Sequence, residues 1–142
     1  MKLVSHVLDS KGREVISIAP DASVLDAIRL MSDKGIGALM VMDGDTLAGI
    51  VTERDYARKV ILKGRSSDTA RVSEIMTTDV ITTSGGQSVE KCMNTVTERR
   101  IRHLPVVDDG KVCGIISIGD LVKAIIEDQQ QAIEQLEHYI SG

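Results

Sequence analysis

Apolar positions along the chain change period in a fixed order. Val15-Ile16-Ser17-Ile18 is short and β-branched, the pattern of a strand. Pro20 and Asp21 break it. Ser23 or Asp21 can cap a helix reaching about Lys34, because Val24, Ala27, Ile28 and Met31 fall at helical spacing. Gly35 sits where a helix C-cap is expected. Gly37 to Met42 is a continuous apolar strand, Asp43-Gly44-Asp45 a hairpin turn, and Leu47 to Thr52 the partner strand. Arg54 to about Leu62 reads as a second helix. The unit is β-α-β-β-α.

The same order then recurs. Strand Val80 to Thr83, helix Ser88 to Arg99, strand His103 to Val107, turn Asp108-Asp109-Gly110, strand Val112 to Ser117 and a helix from Ile118 repeat the first set. A shift of 65 residues superposes Val24 on Val89, Leu39 on Leu104, Gly49 on Gly114 and Asp55 on Asp120 without a gap. Thr52 meets Ser117, a hydroxyl for a hydroxyl. The leader Val4-Ser5-His6-Val7-Leu8 echoes Val72-Ser73-Glu74-Ile75-Met76. A register held through strands, helix and turn marks a duplicated supersecondary unit. Lys63 to Thr69 is polar with Gly and Ser, a solvated linker. One copy buries too little surface to be comfortable alone, so the expectation is an α/β (α+β) fold of two copies packed as a pseudo-twofold pair. After Ile126 the chain turns polar, and Ile133, Leu136 and Ile140 then form an apolar stripe. That predicts an amphipathic C-terminal helix, which packs on its own domain or joins a homodimer interface. The expected boundaries are 1–66, 67–128 and 129–142.

Composition narrows the function. Two Tyr are the whole aromatic content, so stacking platforms for single-stranded nucleic acid are missing. A net charge of −4 gives no basic footprint for a duplex. Cys92 and Cys113 lack metal-ligand spacing and suit buried thiols in a reducing compartment, or one disulfide. No signal peptide is evident, and no run approaches the about 20 apolar residues of a membrane span. No catalytic motif of the Gly-x-Ser-x-Gly, Walker or His-Glu-x-x-His kind is present. His6, His103 and His138 have no metal spacing, and the turns are too short for a calcium loop.

The candidate chemistry lies in the repeated stretch. Gly49-Ile50-Val51-Thr52-Glu53-Arg54-Asp55 and Gly114-Ile115-Ile116-Ser117-Ile118-Gly119-Asp120 each end a strand in a hydroxyl, with an Asp on the first helical turn. The bland reading is a helix cap. The functional reading is a carboxylate accepting from two ribose hydroxyls, with the hydroxyl and helix N–H groups meeting a phosphate and the strand walling a base. Arg102 and His103 occupy positions that are Gly37 and Ala38 in the first copy. An Arg there can bind phosphate bidentately, a His can add charge, and small residues let a ligand approach backbone.

These residues resemble a CBS-domain pair, the Bateman module, of the stand-alone type. Ile101-Arg102-His103-Leu104-Pro105-Val106-Val107 and the Glu74-Ile75-Met76-Thr77 leader carry the resemblance along with the two Asp motifs. It implies a regulatory module binding adenosine-containing ligands in clefts between the two motifs: AMP, ADP, ATP, NAD(H) or S-adenosylmethionine. By that pattern Thr52, Arg54 and Asp55, with Ile81, Arg102 and His103, form one site. Ser117, Gly119 and Asp120, with Ile16, Gly37 and Ala38, form the second. Gly119 replaces Arg54 there and no cation is expected opposite, so the second site is expected to bind more weakly or to take the adenosine end of a longer ligand. Ser84-Gly85-Gly86 departs from the family's usual Pro and acidic residues. A homodimer, an unidentified regulated protein, a cytoplasmic setting and no catalytic cofactor or metal complete the expectation. The alternatives are a purely structural dimerisation module, in which both Asp residues only cap, and an enzyme acting on a nucleotide.

Overall fold

The computed structural model describes residues 2–141. The first copy runs β1 (Ser17–Ile18), α2 (Val24–Lys34), β2 (Ala38–Asp43), β3 (Thr46–Thr52) and α3 (Glu53–Tyr56), preceded by a leader helix α1 (Val4–Lys11). A π-helical turn, Ala57–Ile61, continues α3. The second copy follows as leader α4 (Val72–Ile75), α5 (Val89–Arg99), β4 (His103–Asp108), β5 (Lys111–Ser117) and α6 (Ile118–Ser141). β1 pairs parallel with β2, and β2 antiparallel with β3. β4 pairs antiparallel with β5, and each hairpin shifts register at the same place, after Val41 and after Val106.

Most predicted elements form for the predicted reasons. Ser23, not Asp21, caps α2 by accepting from the Asp26 N–H at 3.1 Å, and Ser88 does the same for Lys91 in α5. Gly35 ends α2 in the left-handed region at φ 65°. Its counterpart is Arg100, which adopts φ 54° despite its side chain. Two elements differ. The second copy's opening strand shrinks to a single parallel bridge, Thr83 to Val106, next to the Ser84-Gly85-Gly86 departure. The helix expected from residue 129 is the end of α6, which runs unbroken for 24 residues. After Gly119 in the first turn, no glycine or proline occurs through Ser141, so nothing stops the helix at the polar run.

The described residues divide into two compact units, 15–81 and 2–14 with 82–141. Each unit therefore holds the body of one copy and the leader of the other. In unit 15–81 the core joins Val24, Ala27, Met31, Leu39, Val41 and Val51 to Val72 and Ile75 of the leader α4. In the other, Val4 and Leu8 of leader α1 are fully buried, as are Leu104, Val106, Ile116 and Leu121. Each such side chain stabilises by about 1.5–3 kcal/mol. Backbone hydrogen bonds seal the exchange. The Val24 N–H donates to the Ala70 carbonyl (2.9 Å), and the Val89 N–H to the Lys2 carbonyl (3.0 Å). The expected solvated linker is thus tied down at its end: Ser67 also accepts from the Leu25 N–H at 2.8 Å.

Both leaders press on a strand glycine. A Cβ on Gly49 would lie 2.7 Å from the Thr77 carbonyl oxygen, and a Cβ on Gly114 2.9 Å from Leu8 Cδ2. A main-chain carbonyl held in a bridge to Ile50 cannot retreat, whereas a leucine methyl can rotate. Gly49→Ala is expected to destabilise the protein by about 1–3 kcal/mol and Gly114→Ala by less. Urea denaturation of the two variants checks this; equal losses would contradict it. Arg100→Gly removes left-handed strain and should raise stability by about 0.5–1 kcal/mol in the same assay.

Candidate functional site

The two hydroxyl-to-Asp turns fold alike because each satisfies the same orphan helix donors. In the first, Thr52 Oγ1 accepts from the Asp55 N–H (3.1 Å), and Asp55 Oδ2 accepts from the Thr52 N–H (3.0 Å) and Thr52 Oγ1 (3.1 Å). In the second, Ser117 Oγ accepts from the Asp120 N–H (3.1 Å) and Asp120 Oδ2 from the Ser117 N–H (2.8 Å). Both are reciprocal capping boxes. The strand opening each hairpin supplies a further acceptor: Glu53 donates to the Gly37 carbonyl (3.1 Å) and Ile118 to the Arg102 carbonyl (2.8 Å).

Register then decides which predicted residues meet within a unit. Ala38 pairs with Thr52, so Gly37 and Ala38 lie beside the Asp55 turn. His103 pairs with Ser117, so Arg102 and His103 lie beside the Asp120 turn. Ile16 and Ile81 belong to the unit of Asp55 and are half-buried. Arg54, Arg102 and Gly119 are exposed. A Cβ on Gly37 would meet nothing nearer than the Glu53 carboxylate at 3.7 Å, so packing alone does not demand glycine there.

A lysine attends each carboxylate, and this was not legible beforehand. Lys59 Nζ lies 3.2 Å from Asp55 Oδ1 and donates to the Ile75 carbonyl at 2.8 Å. Lys11 Nζ lies 2.5 Å from Asp120 Oδ2 and donates to the Ile115 carbonyl at 2.9 Å. The expectation of an Asp120 turn without a cation is therefore corrected. Position 124, the counterpart of Lys59, is Ala124. The second copy's lysine comes instead from the leader α1, which is eight residues long where α4 is four. The loss of a lysine at position 124 was the only sequence signal, and the leader's placement supplied the rest.

Charge states follow. Burial works to raise the Asp120 carboxyl, but the Lys11 hydrogen bond, the Ser117 N–H and the Lys11 charge outweigh it and hold it below the usual range. His103 is pushed below its usual 6.5, by burial first and then by the Lys11 charge, with Asp120 opposing and Arg102 adding. Both effects favour the neutral imidazole of His103. Among the described residues no cluster could hold a metal ion. Cys92 is buried with its sulfur 3.3 Å from Thr83 Oγ1, Cys113 is half-buried, and both are free. No helix among the described residues is long and apolar enough to cross a membrane.

With this geometry in hand, the chain is placed among known proteins. The CBS domain model matches residues 4–62 and 72–127, and the chain belongs to the CBS domain family. The mitochondrial CBS domain-containing protein CBSX3 of Arabidopsis thaliana is 38% identical, over 98% of this chain and 72% of its own. A CBS-domain protein of Burkholderia ambifaria MC40-6 has a solved structure that superposes with a TM-score of 0.87 at 54% identity, covering 90% of this chain and 96% of that one. The CBS domain pair of protein MJ0100, solved in complex with 5'-methylthioadenosine and S-adenosyl-L-methionine, matches with a TM-score of 0.78 at 27% identity, over 90% of this chain and 98% of that one.

A depressed His103 pKa means the unfolded chain binds the proton more readily. Its contribution to stability is full above pH 6.5 and is lost as pH falls through the lower folded value. Thermal unfolding between pH 7.5 and 5 should show a decline that His103→Gln flattens. Asp120 acts in the same direction below about pH 4, since its folded pKa is also depressed. In Lys11→Met the His103 imidazole should titrate closer to 6.5, as read by proton NMR; an unchanged titration would break the assignment.

Proposed function

We propose that the chain is a regulatory sensor that binds an adenosine-containing ligand at the Asp55 and Asp120 turns and signals to a partner protein without catalysing a reaction. AMP, ADP, ATP and NAD(H) are the candidate ligands. The observation carrying this reading is the state of the Asp120 carboxylate. Its bonds from Lys11 and the Ser117 N–H both fall on Oδ2, which leaves Oδ1 open, among the described residues, to a ribose hydroxyl. In the other unit the cap likewise falls on Asp55 Oδ2, while Oδ1 lies 3.2 Å from Lys59 Nζ. Gly37 and Ala38 beside one turn, and Arg102 and His103 beside the other, are the further ligand contacts we assign, with Arg54, Gly119, Ile16 and Ile81. The adenosine compounds held by the CBS pair of MJ0100 support the ligand class. Two free thiols suit a reducing, cytoplasmic setting.

Asparagine at either Asp keeps an acceptor for the cap but removes the charge. Asp55→Asn and Asp120→Asn should each weaken AMP or ATP binding by about tenfold at their own site, while the fold survives. Isothermal titration with AMP, ATP and NAD, followed by melting without ligand, checks both halves. Wild-type affinity in the double variant would refute the site.

A second reading has its own observation. Val122, Ile126, Ile133, Leu136 and Ile140 are exposed along one stripe of α6. That stripe suits a homodimer, and a purely structural dimerisation module would use it without ligand. The titration separates the readings, because only the sensor binds a nucleotide.

A further inference from the structure

We propose that Lys11 sets the ligand charge at the Asp120 turn: it neutralises the carboxylate when the turn is empty and binds the phosphate of an anionic nucleotide when it is filled. This rests on the reading of Asp120 as a ribose contact and names a residue and a specificity beyond it.

The geometry begins with a substitution of one donor for another. In the unit of Asp55, the Ile50 carbonyl accepts from the Thr77 N–H at 2.9 Å, a main-chain bridge that cannot leave without breaking the leader's pairing. The counterpart of Ile50 is Ile115, and there the acceptor is filled by Lys11 Nζ at 2.9 Å. A side chain on four rotatable carbons has replaced a fixed N–H. The same ammonium touches Asp120 Oδ2 at 2.5 Å. Lys11 therefore holds the end of β5 and the first turn of α6 together, yet it can swing away from either.

Its surroundings favour an anion. A cavity of about 60 Å³ opens beside Lys11 and Asp120, between α1 and α6. Lys2, His6, Lys123 and Ala124 are among its lining residues. Ala124, where the other copy carries Lys59, is what leaves the space. Of the two carboxylates at the cavity, Glu127 is already paired with Lys2. The three lysines at the cavity, Lys2, Lys11 and Lys123, outnumber its two carboxylates, Asp120 and Glu127, an excess of positive charge in a space large enough for a group of a few heavy atoms. A ribose donating to Asp120 takes over part of what Lys11 does for that carboxylate. A phosphate on the same ligand offers Lys11 a charge-assisted bond in return. An uncharged nucleoside offers nothing in exchange and must compete with the ion pair.

The test compares AMP with adenosine by isothermal titration on the full chain in an Asp55→Asn background, so that the Asp120 turn is read. Lys11→Gln keeps a donor for the Ile115 carbonyl, and Lys11→Met does not. In both, AMP affinity should fall about tenfold or more while adenosine affinity holds or rises, and Lys11→Arg should keep the preference for AMP. Equal changes for AMP and adenosine would overturn the role of Lys11 while leaving the ribose site standing. Failure of the background protein to bind either compound, with Asp120→Asn making no difference, would overturn the site and this inference together.

Discussion

The first backbone N–H groups of α2 and α5 have no partners within their own helices, and in both units another copy's leader answers them. Ala70 takes the Val24 N–H and Lys2 takes the Val89 N–H. Around these bonds the leaders bury Val72 and Ile75 in one unit, Val4 and Leu8 in the other. A copy cut out at the boundaries of the duplication would lose its acceptor and part of its core in one step. The exchange explains why the sequence carries a leader before each copy, and why Gly49 and Gly114 stand where a side chain would hit one. It also positions the candidate site, since the strand that each leader braces ends in the hydroxyl of the carboxylate turn.

The two carboxylates divide their oxygens differently between cap and lysine. Asp120 uses Oδ2 for the cap and for Lys11. Asp55 uses Oδ2 for the cap and Oδ1 for Lys59. A carboxylate on the first turn is stabilised by the helix N-terminus and by its lysine.

Much of this was visible in the sequence because it is local. Ser23, Ser88 and Gly35 act within one turn of themselves, and the strand pairs follow from hairpin turns only a few residues long. The Thr-x-x-Asp and Ser-x-x-Asp turns were legible for the same reason, and the family resemblance was carried by them. What escaped depends on distant contacts or on continuity. The length of α6 escaped because a polar run looks like a boundary, although Glu127 and Gln129 to Gln131 are good helix formers. The π turn after Tyr56 has no signature in Ala57 to Ile61. Lys11 lies 109 positions from Asp120, and only the leader exchange joins them.

That join makes the two carboxylate turns unlike. The bodies of the two copies share their hairpin pairing, their cap and their Asp. Change came at the edges, where the leader meets the body. Losing the lysine at position 124 would leave Asp120 with a cap and no counter-ion in a half-buried setting, which costs free energy. A leader helix twice as long restores the charge from outside the motif. The two carboxylates are capped alike but paired differently: one is answered by a lysine of the helical turn that continues its own helix, the other by a lysine on a separate element. Both lysines tie a carboxylate to a leader, Lys59 through the Ile75 carbonyl of α4 and Lys11 as a residue of α1 itself, but only Lys11 spans from the leader to the end of β5.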